Sequence, residues 1–208
     1  MENIRLILPS PAYLQSYLEA CRELKAYPVL IDRGFFHDPD AFPTWEDTLF
    51  ATFENHRQGI GLPAGYVPAT TFWLVEGDTF IGRGSIRHRL TPALERFAGH
   101  IGYAIRPSRW GQGYGTLQLS LLLREAFAMG IQRTLITCDE DNIGSRRVIE
   151  KNGGLHEDTI SDLINGTPRR TCRYWHDTAP TPIARSSILT TPSRSPTHRV
   201  SPNASPRI

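Results

Sequence analysis

The sequence has little with which to cross a membrane, staple itself by disulfides or grip a nucleic acid. No stretch approaches the roughly 20 apolar residues of a bilayer-spanning helix, and Met1-Glu2-Asn3-Ile4-Arg5 lacks the basic segment and long apolar run of a secretion signal. Cytoplasmic location is therefore expected, with no membrane partner. Cysteine is scarce: Cys21, Cys138 and Cys172 are odd in number, far apart and set in apolar or strand-like surroundings, a pattern of reduced thiols. Cys138 has no spaced partner and His198 lies near the carboxyl end, so no metal site is expected. Charge of one sign is also sparse. The formal net charge is +2, and Arg185, Arg194, Arg199 and Arg207, set against the single acid Asp177, outweigh it from the last 32 residues alone. That charge is thin and has no aromatic residues interleaved for stacking, which excludes a nucleic-acid footprint.

What is present suits one folded domain. The 208 residues are 39% apolar and 21% charged, ordinary proportions for a globular chain. Past residue 177 the composition turns to Pro, Ser, Thr and Arg, as in Thr190-Thr191-Pro192-Ser193-Arg194-Ser195-Pro196, with no aromatic residue. Such a segment buries too little apolar surface to offset about 1–2 kcal/mol of backbone entropy per residue. The division expected is a functional domain over residues 1–176 and a disordered tail over 177–208.

Within the domain the pattern alternates. Asn3 to Leu8 reads as a strand; Pro9-Ser10-Pro11 opens a helix with Leu14, Tyr17, Leu18, Cys21 and Leu24 at three-four spacing. Tyr27 to Pro68 is irregular, rich in Pro, Gly and aromatic residues, with one short helix from Thr44 to about Arg57. Phe72–Val75 and Phe80–His88 flank the turn Glu76-Gly77-Asp78-Thr79 and read as a hairpin, followed by a strand from Gly99 to Arg106. A helix runs from about Gly115 to Met129, with Gly130 as its stop, and Ile131–Cys138 is a buried-type strand. Asn142 caps a short helix ending near Asn152 and Gly153, and a last hairpin joins Leu155–Ile164 to Arg170–Trp175 across Asn165-Gly166. The sum is an α+β domain with a mixed, largely antiparallel sheet of about six to seven strands flanked by helices.

The most informative segment runs from Ile101 to Thr116. A strand ends at Arg106-Pro107, glycines follow at Gly111, Gly113 and Gly115, and an amphipathic helix begins at once. Without Cβ atoms, successive amide hydrogens can converge on one point at the positive end of a helix, a nest that fits a diphosphate. A triphosphate loop is disfavoured because Gly113-Tyr114-Gly115-Thr116 contains no lysine. A dinucleotide fingerprint is disfavoured because Thr116 stands at its third glycine position and a hairpin precedes the strand.

The order of hairpin, strand, glycine turn, helix, buried strand, Asn-capped helix and closing hairpin resembles the GCN5-related N-acetyltransferases. The family's Arg/Gln-x-x-Gly-x-Gly/Ala turn is matched by Trp110-Gly111-Gln112-Gly113-Tyr114-Gly115, with Trp110 in place of the usual first residue. Its later Asn-x-x-Ala/Ser and Glu-Lys-x-Gly elements are matched by Asn142 with Ser145 and by Glu150-Lys151-Asn152-Gly153. Gly82–Leu90, Gly99–Tyr103, Arg106–Ser108 and Asp139–Asn142 resemble a bacterial subgroup of predicted acetyltransferases without a defined acceptor.

The resemblance implies direct transfer of an acetyl group from acetyl-CoA, a co-substrate, to an amine on a small molecule or peptide. The thioester would lie between two splayed parallel strands, Gly99–Arg106 and Ile131–Cys138. It implies that the amides of Gly111, Gln112, Gly113, Tyr114, Gly115 and Thr116, next to Trp110, grip the cofactor, with Asn142 and Ser145 along its pantetheine and adenosine side. The amide of Ile105 would meet the carbonyl oxygen. A general base should titrate near the working pH, and His100 and His88 are the candidates. The tyrosine that the family often uses to protonate the departing thiolate is Ile149 here, so a non-catalytic acyl-CoA sensor stays open as an alternative. Acceptor recognition is expected from residues 27–68, where Asp38, Asp40, Glu46 and Asp47 form either an attracting acidic surface or a merely solvated one. Phe35, Phe36, Phe42, Trp45, Phe72 and Trp73 are expected chiefly in the core. Oligomeric state is open, a homodimer included.

Overall fold

The computed structural model describes residues 3–27, 36–41, 46–164 and 167–178. In chain order the principal elements are β1 (Ile4–Ile7), α1 (Leu14–Glu23), α2 (Leu49–Gln58), β2 (Ala69–Glu76), β3 (Thr79–Arg87), α3 (Pro92–Phe97), β4 (Ile101–Ile105), α4 (Tyr114–Ala128), β5 (Arg133–Asp139), α5 (Ile143–Lys151), β6 (Leu155–Ile164) and β7 (Thr167–Asp177). Seven strands form one sheet in the order β1-β2-β3-β4-β5-β7-β6. Every neighbouring pair is antiparallel except β4 and β5, which run parallel.

Period-two alternation sends successive side chains to opposite faces of this sheet, and each face has its own core. On one face Phe72, Ile86, Ile101, Ile136 and Tyr174 meet Leu119, Leu122, Leu123 and Ala126 of α4 and Ile149 of α5. On the other, Trp73, Val75, Phe80 and Ala104 meet Tyr17, Cys21 and Leu24 around α1, and Leu49 and Phe53 of α2. Tyr17 stacks on Trp73 with ring centroids 4.8 Å apart and meets Phe80 edge-on at 5.1 Å. Such pairs contribute about 0.5–1.5 kcal/mol each beyond their burial. Phe36, Phe72 and Trp73 are thus core residues; Phe35, Phe42 and Trp45 lie outside the described residues, as do the Asn165-Gly166 turn and the tail past Thr178.

The sequence reading omits α3. Its start is written locally all the same: Thr91 Oγ1 accepts from the Leu94 amide (3.4 Å), and Pro92 stands in the first turn, where its missing N–H costs nothing. The three cysteines are buried free thiols. Among the described residues no helix is long and apolar enough to cross a membrane.

Candidate active site

The parallel pair is joined only at its start. Ile101 and Ile136 are its one register pair. Beside them the His100 amide donates to Leu135 O (2.7 Å), and the Leu135 amide donates to His100 Nδ1 (3.0 Å). Beyond this staple β4 and β5 separate.

The β3 ladder shows what faces the separation. Arg87 N donates to His100 O (2.8 Å) and Arg106 N to Ile81 O (2.9 Å), while Ile86 opposes Ile101 and Gly82 opposes Ile105. Positions 101, 103 and 105 are therefore the non-hydrogen-bonded ones of the β3–β4 pair. Antiparallel alternation turns their N–H and C=O groups away from β3, toward β5. Trp110 Nε1 donates to Ile105 O (2.6 Å), which occupies that carbonyl and leaves the Ile105 amide facing the gap. The Tyr103 hydroxyl crosses from β4 to α5 and donates to Ser145 O at 3.5 Å.

Next along the chain comes the glycine turn. Gly111 (φ 73°) and Gly113 (φ 87°) are left-handed, and a Cβ on either would meet nothing within 4 Å, so it is backbone conformation that requires glycine there. At Gly115 close approach is the reason: an added Cβ would come within 3.3 Å of Val148 Cγ2 on α5 and 3.9 Å of Ile105 Cγ1. Leu117 N bonds back to Gly113 O (3.2 Å), whereas the amides of Gly111 through Thr116 have no acceptor among the described residues. They gather at the positive end of a 15-residue helix.

The side chains of the turn have other uses. Tyr114 is buried and donates its hydroxyl to Glu76 Oε2 (2.7 Å), Gln112 Nε2 donates to Ser108 O (3.1 Å), and the half-exposed Trp110 ring meets Tyr27 edge-on at 4.7 Å. The turn is anchored through Glu23 at the end of α1. Its carboxylate accepts from Arg106 Nε (3.0 Å), Ser108 N (3.1 Å) and Ser108 Oγ (3.0 Å). Burial acts to raise the Glu23 pKa, and the bonds from Arg106 and Ser108 outweigh it, holding the carboxyl below its ordinary value. Asn142 Oδ1 accepts from Ser145 N (2.9 Å), so that oxygen is spent on capping α5. Asn152 Nδ2 ties α5 to α4 through Thr116 O (3.2 Å).

A cavity of about 470 Å³ opens on the α1–α2 face. Its floor is Arg83, Ser85 and Arg87 of β3 and Gly102 of β4, and His56, Tyr66 and Leu94 are among its walls. Gly102 adjoins the last register pair of β4 and β5, so the cavity abuts the point where the strands part. Arg83 also lies over the Phe53 ring at 5.4 Å. The His56 pKa is lowered by burial and then by Arg83.

The two expected bases stand elsewhere. A main-chain amide can only donate, so the bond from Leu135 fixes His100 Nδ1 as acceptor and its proton on Nε2. The ring of this neutral histidine, its pKa lowered by burial and by Arg87, thus has its lone pair engaged in the staple. His88 shares a hydrogen bond with Thr70 Oγ1 (2.9 Å) and does not line the cavity. The acids read as either an attracting or a merely solvated surface also stay outside it: Asp40 pairs with Lys25 (2.6 Å), Asp38 accepts from the Asp40 amide (2.9 Å), and Glu46 and Asp47 are solvent-exposed. Sequence reasoning missed Arg83, Arg87 and His56, since nothing local marks two strand arginines and a helix histidine as neighbours. Among the described residues no cluster of His, Cys, Asp and Glu is arranged to hold a metal ion.

An open mixed sheet whose two central parallel strands part beside a glycine turn defines an acetyltransferase-type domain. A family model described as the acetyltransferase (GNAT) domain matches residues 24–154, more than half of the chain, and the chain belongs to that family. Solved structures share the fold at low identity. RimL, the ribosomal L7/L12 alpha-N-protein acetyltransferase in complex with coenzyme A, is 19% identical with a TM-score of 0.61, over 85% of this chain and 95% of that one. The microcin C7 self-immunity acetyltransferase MccE, in complex with acetyl-CoA and AMP, is 18% identical with a TM-score of 0.59, over 85% and 93%. A chimera of the spermidine N-acetyltransferase SpeG from Vibrio cholerae is 15% identical with a TM-score of 0.57, over 85% and 96%. Comparison with curated protein sequences found no match.

Proposed function

We propose that the chain moves an acetyl group from acetyl-CoA directly onto an amine nitrogen. One observation carries the reading: six successive main-chain amides, Gly111 to Thr116, stand unbonded within the described structure, and their turn adjoins the gap between β4 and β5. A diphosphate held at that turn leaves its acyl arm a path between the strands, toward the cavity behind them. Coenzyme A in the RimL structure and acetyl-CoA in the MccE structure support this choice of ligand.

In this reading Asn142 and Ser145, at the start of α5, flank the arm, and the Ile105 amide meets the carbonyl oxygen as negative charge develops on it. The amine nitrogen attacks the thioester carbonyl carbon; a C–N bond forms, the C–S bond breaks, and coenzyme A departs as thiolate. With an ordinary thiol pKa near 8.5, that group leaves without a dedicated acid. The proton lost by the amine passes to His56, whose lowered pKa keeps it neutral at pH 7.

Acetyl-CoA at 100 times its dissociation constant is expected to stabilise the protein by about 2.7 kcal/mol in thermal unfolding; no shift ends the reading. Thiol release over a panel of amines then measures turnover. His56→Ala is expected to lower kcat about 100-fold with the KM for acetyl-CoA unchanged, and His100→Ala only a few-fold; the reverse order would return the base to His100. The alternative of an acyl-CoA sensor draws support from Ile149, which is fully buried and offers no proton donor where the family often has tyrosine. Acetyl-CoA binding without thiol release on any amine would establish that alternative.

A further inference from the structure

The gap between β4 and β5 holds a hydroxyl that the fold scarcely uses. Tyr103 comes two residues after the register pair of Ile101 and Ile136, at a position of β4 whose main-chain groups face the gap. Its ring packs on the α4–α5 core, and its hydroxyl reaches the first turn of α5, where it donates to Ser145 O at 3.5 Å. That bond is at the outer limit of length, and its acceptor is neutral. Cys138 of β5 lies near enough to act on the Tyr103 pKa, so both parting strands flank the ring. Tyr174 supplies the contrast. It also faces α5, but its hydroxyl accepts from Arg146 Nε (3.3 Å) and donates to the Glu150 carboxylate (3.2 Å), which commits it. The Cys138 thiol, pushed up to about 12 chiefly by burial, is a weak donor, and buried Ile149 offers none.

Resting on the transferase reading, we infer that Tyr103 receives the departing sulfur: its hydroxyl leaves Ser145 O and donates a hydrogen bond to the thiolate of coenzyme A. With the thioester oxygen at the Ile105 amide, two residues along the same strand, the C–S bond falls in the stretch of gap that the Tyr103 ring spans. As the amine nitrogen bonds to the carbonyl carbon, the C–S electron pair passes to sulfur, and negative charge appears beside the buried Ile136, Cys138 and Ile149. A hydrogen bond to an ionised acceptor is about twice as strong as one to a neutral group, so the hydroxyl gains by exchanging a carbonyl for a thiolate. Burial raises the Tyr103 pKa above its ordinary value of 10.0, well over that of a thiol at about 8.5. The proton therefore stays on oxygen. Tyr103 is a donor and not an acid, and the thiolate takes its proton from solvent after release. An interaction that forms only as the bond breaks speeds the chemical step without tightening the binding of acetyl-CoA.

The first test reads bound coenzyme A and needs no turnover. Coenzyme A is bound to the full chain, and its thiol is titrated by the ultraviolet absorbance of the thiolate, with the free protein subtracted. The titratable and charged groups around Cys138 are Cys172, Asp139, Arg146 and Glu150, with Tyr174 beside them. All are common to wild type and Tyr103→Phe, so the difference between the two isolates the hydroxyl. Tyr103→Phe is expected to raise the bound thiol pKa by about one unit or more, which is about tenfold in ionisation, with the acetyl-CoA dissociation constant unchanged. In single turnover the same variant should slow thiol release about 10–100-fold. With acetyl-seleno-coenzyme A, whose selenolate is less basic, that loss should shrink to a few-fold. Thermal unfolding verifies that the variant folds. An unchanged thiol pKa, or equal losses with thioester and selenoester, overturns the inference. Its failure is distinct from that of the transferase reading: acetyl-CoA that binds without thiol release on any amine ends both, whereas turnover with an unmoved thiol pKa ends the role of Tyr103 alone.

Discussion

The two sides of the β4–β5 gap are built from different materials. On the α4–α5 side the candidate cofactor grip consists of main-chain amides from one unbroken segment, Gly111 to Thr116, and the side chains around them are occupied elsewhere, Tyr114 with Glu76 and Gln112 with Ser108. On the α1–α2 side the cavity consists of side chains from distant segments, with His56, Arg83, Arg87 and Leu94 converging from α2, β3 and α3. A main-chain site tolerates side-chain change as long as the backbone keeps its path, whereas a side-chain site changes with every substitution. That contrast suits a domain in which one half meets an unvarying cofactor and the other meets an acceptor.

The sharpest way to break the comparison is to cut the tie between the sides. Glu23 on α1 holds Arg106 and Ser108 just before the turn, and the Arg106 side chain is only 8% exposed. Glu23→Ala leaves that charge without its nearest partner and is expected to cost about 3 kcal/mol in urea unfolding. The pH dependence follows in sign: the Glu23 pKa is held down in the fold, so its stabilisation is present above the unfolded carboxyl value near 4.5 and fades as pH falls through the lower folded value. Unfolding curves of wild type and Glu23→Gln should therefore converge on acidification; a gap that stays constant to pH 2 would refute this role.

Gly113→Val probes the main-chain side alone, because the space for the new side chain is open and only the left-handed backbone resists it. It should cost about 1–2 kcal/mol or more and remove the stabilisation by acetyl-CoA. Trp110→Arg loses the bond to Ile105 O and the contact with Tyr27, at about 1 kcal/mol. If amides make the grip, the acetyl-CoA dissociation constant should move less than about tenfold; a larger change in calorimetry would make position 110 a gripping side chain. Smallest of all, Tyr103→Phe removes a long 3.5 Å bond to Ser145 O and should cost under about 0.5 kcal/mol in the same unfolding assay.

The α+β class, the near-complete element order and the glycine turn were legible because each is written in neighbouring residues. The Glu76-Gly77-Asp78-Thr79 turn, the Asn142 cap and the Gly130 stop act over one turn of chain, and all three lie where their spacing puts them. The short α3 carries a Thr91-Pro92 start of the same kind and was readable on that signal. His100 illustrates the opposite case. A histidine on a central strand beside a cleft suits a base on chemistry alone, and only the approach of Leu135, 35 residues away, commits its lone pair to joining two strands.

By itself, then, the sequence determined local conformation: where helices start and stop, which strands alternate, and a turn whose glycines release a row of amides. Tertiary structure alone decided the partners of His100, the position of Asp38, Asp40, Glu46 and Asp47 outside the cavity and the meeting of Arg83, Arg87 and His56. The reason is physical: backbone conformation depends on the few residues around it, while side-chain environment depends on contacts between segments far apart in the chain, and no local pattern records those.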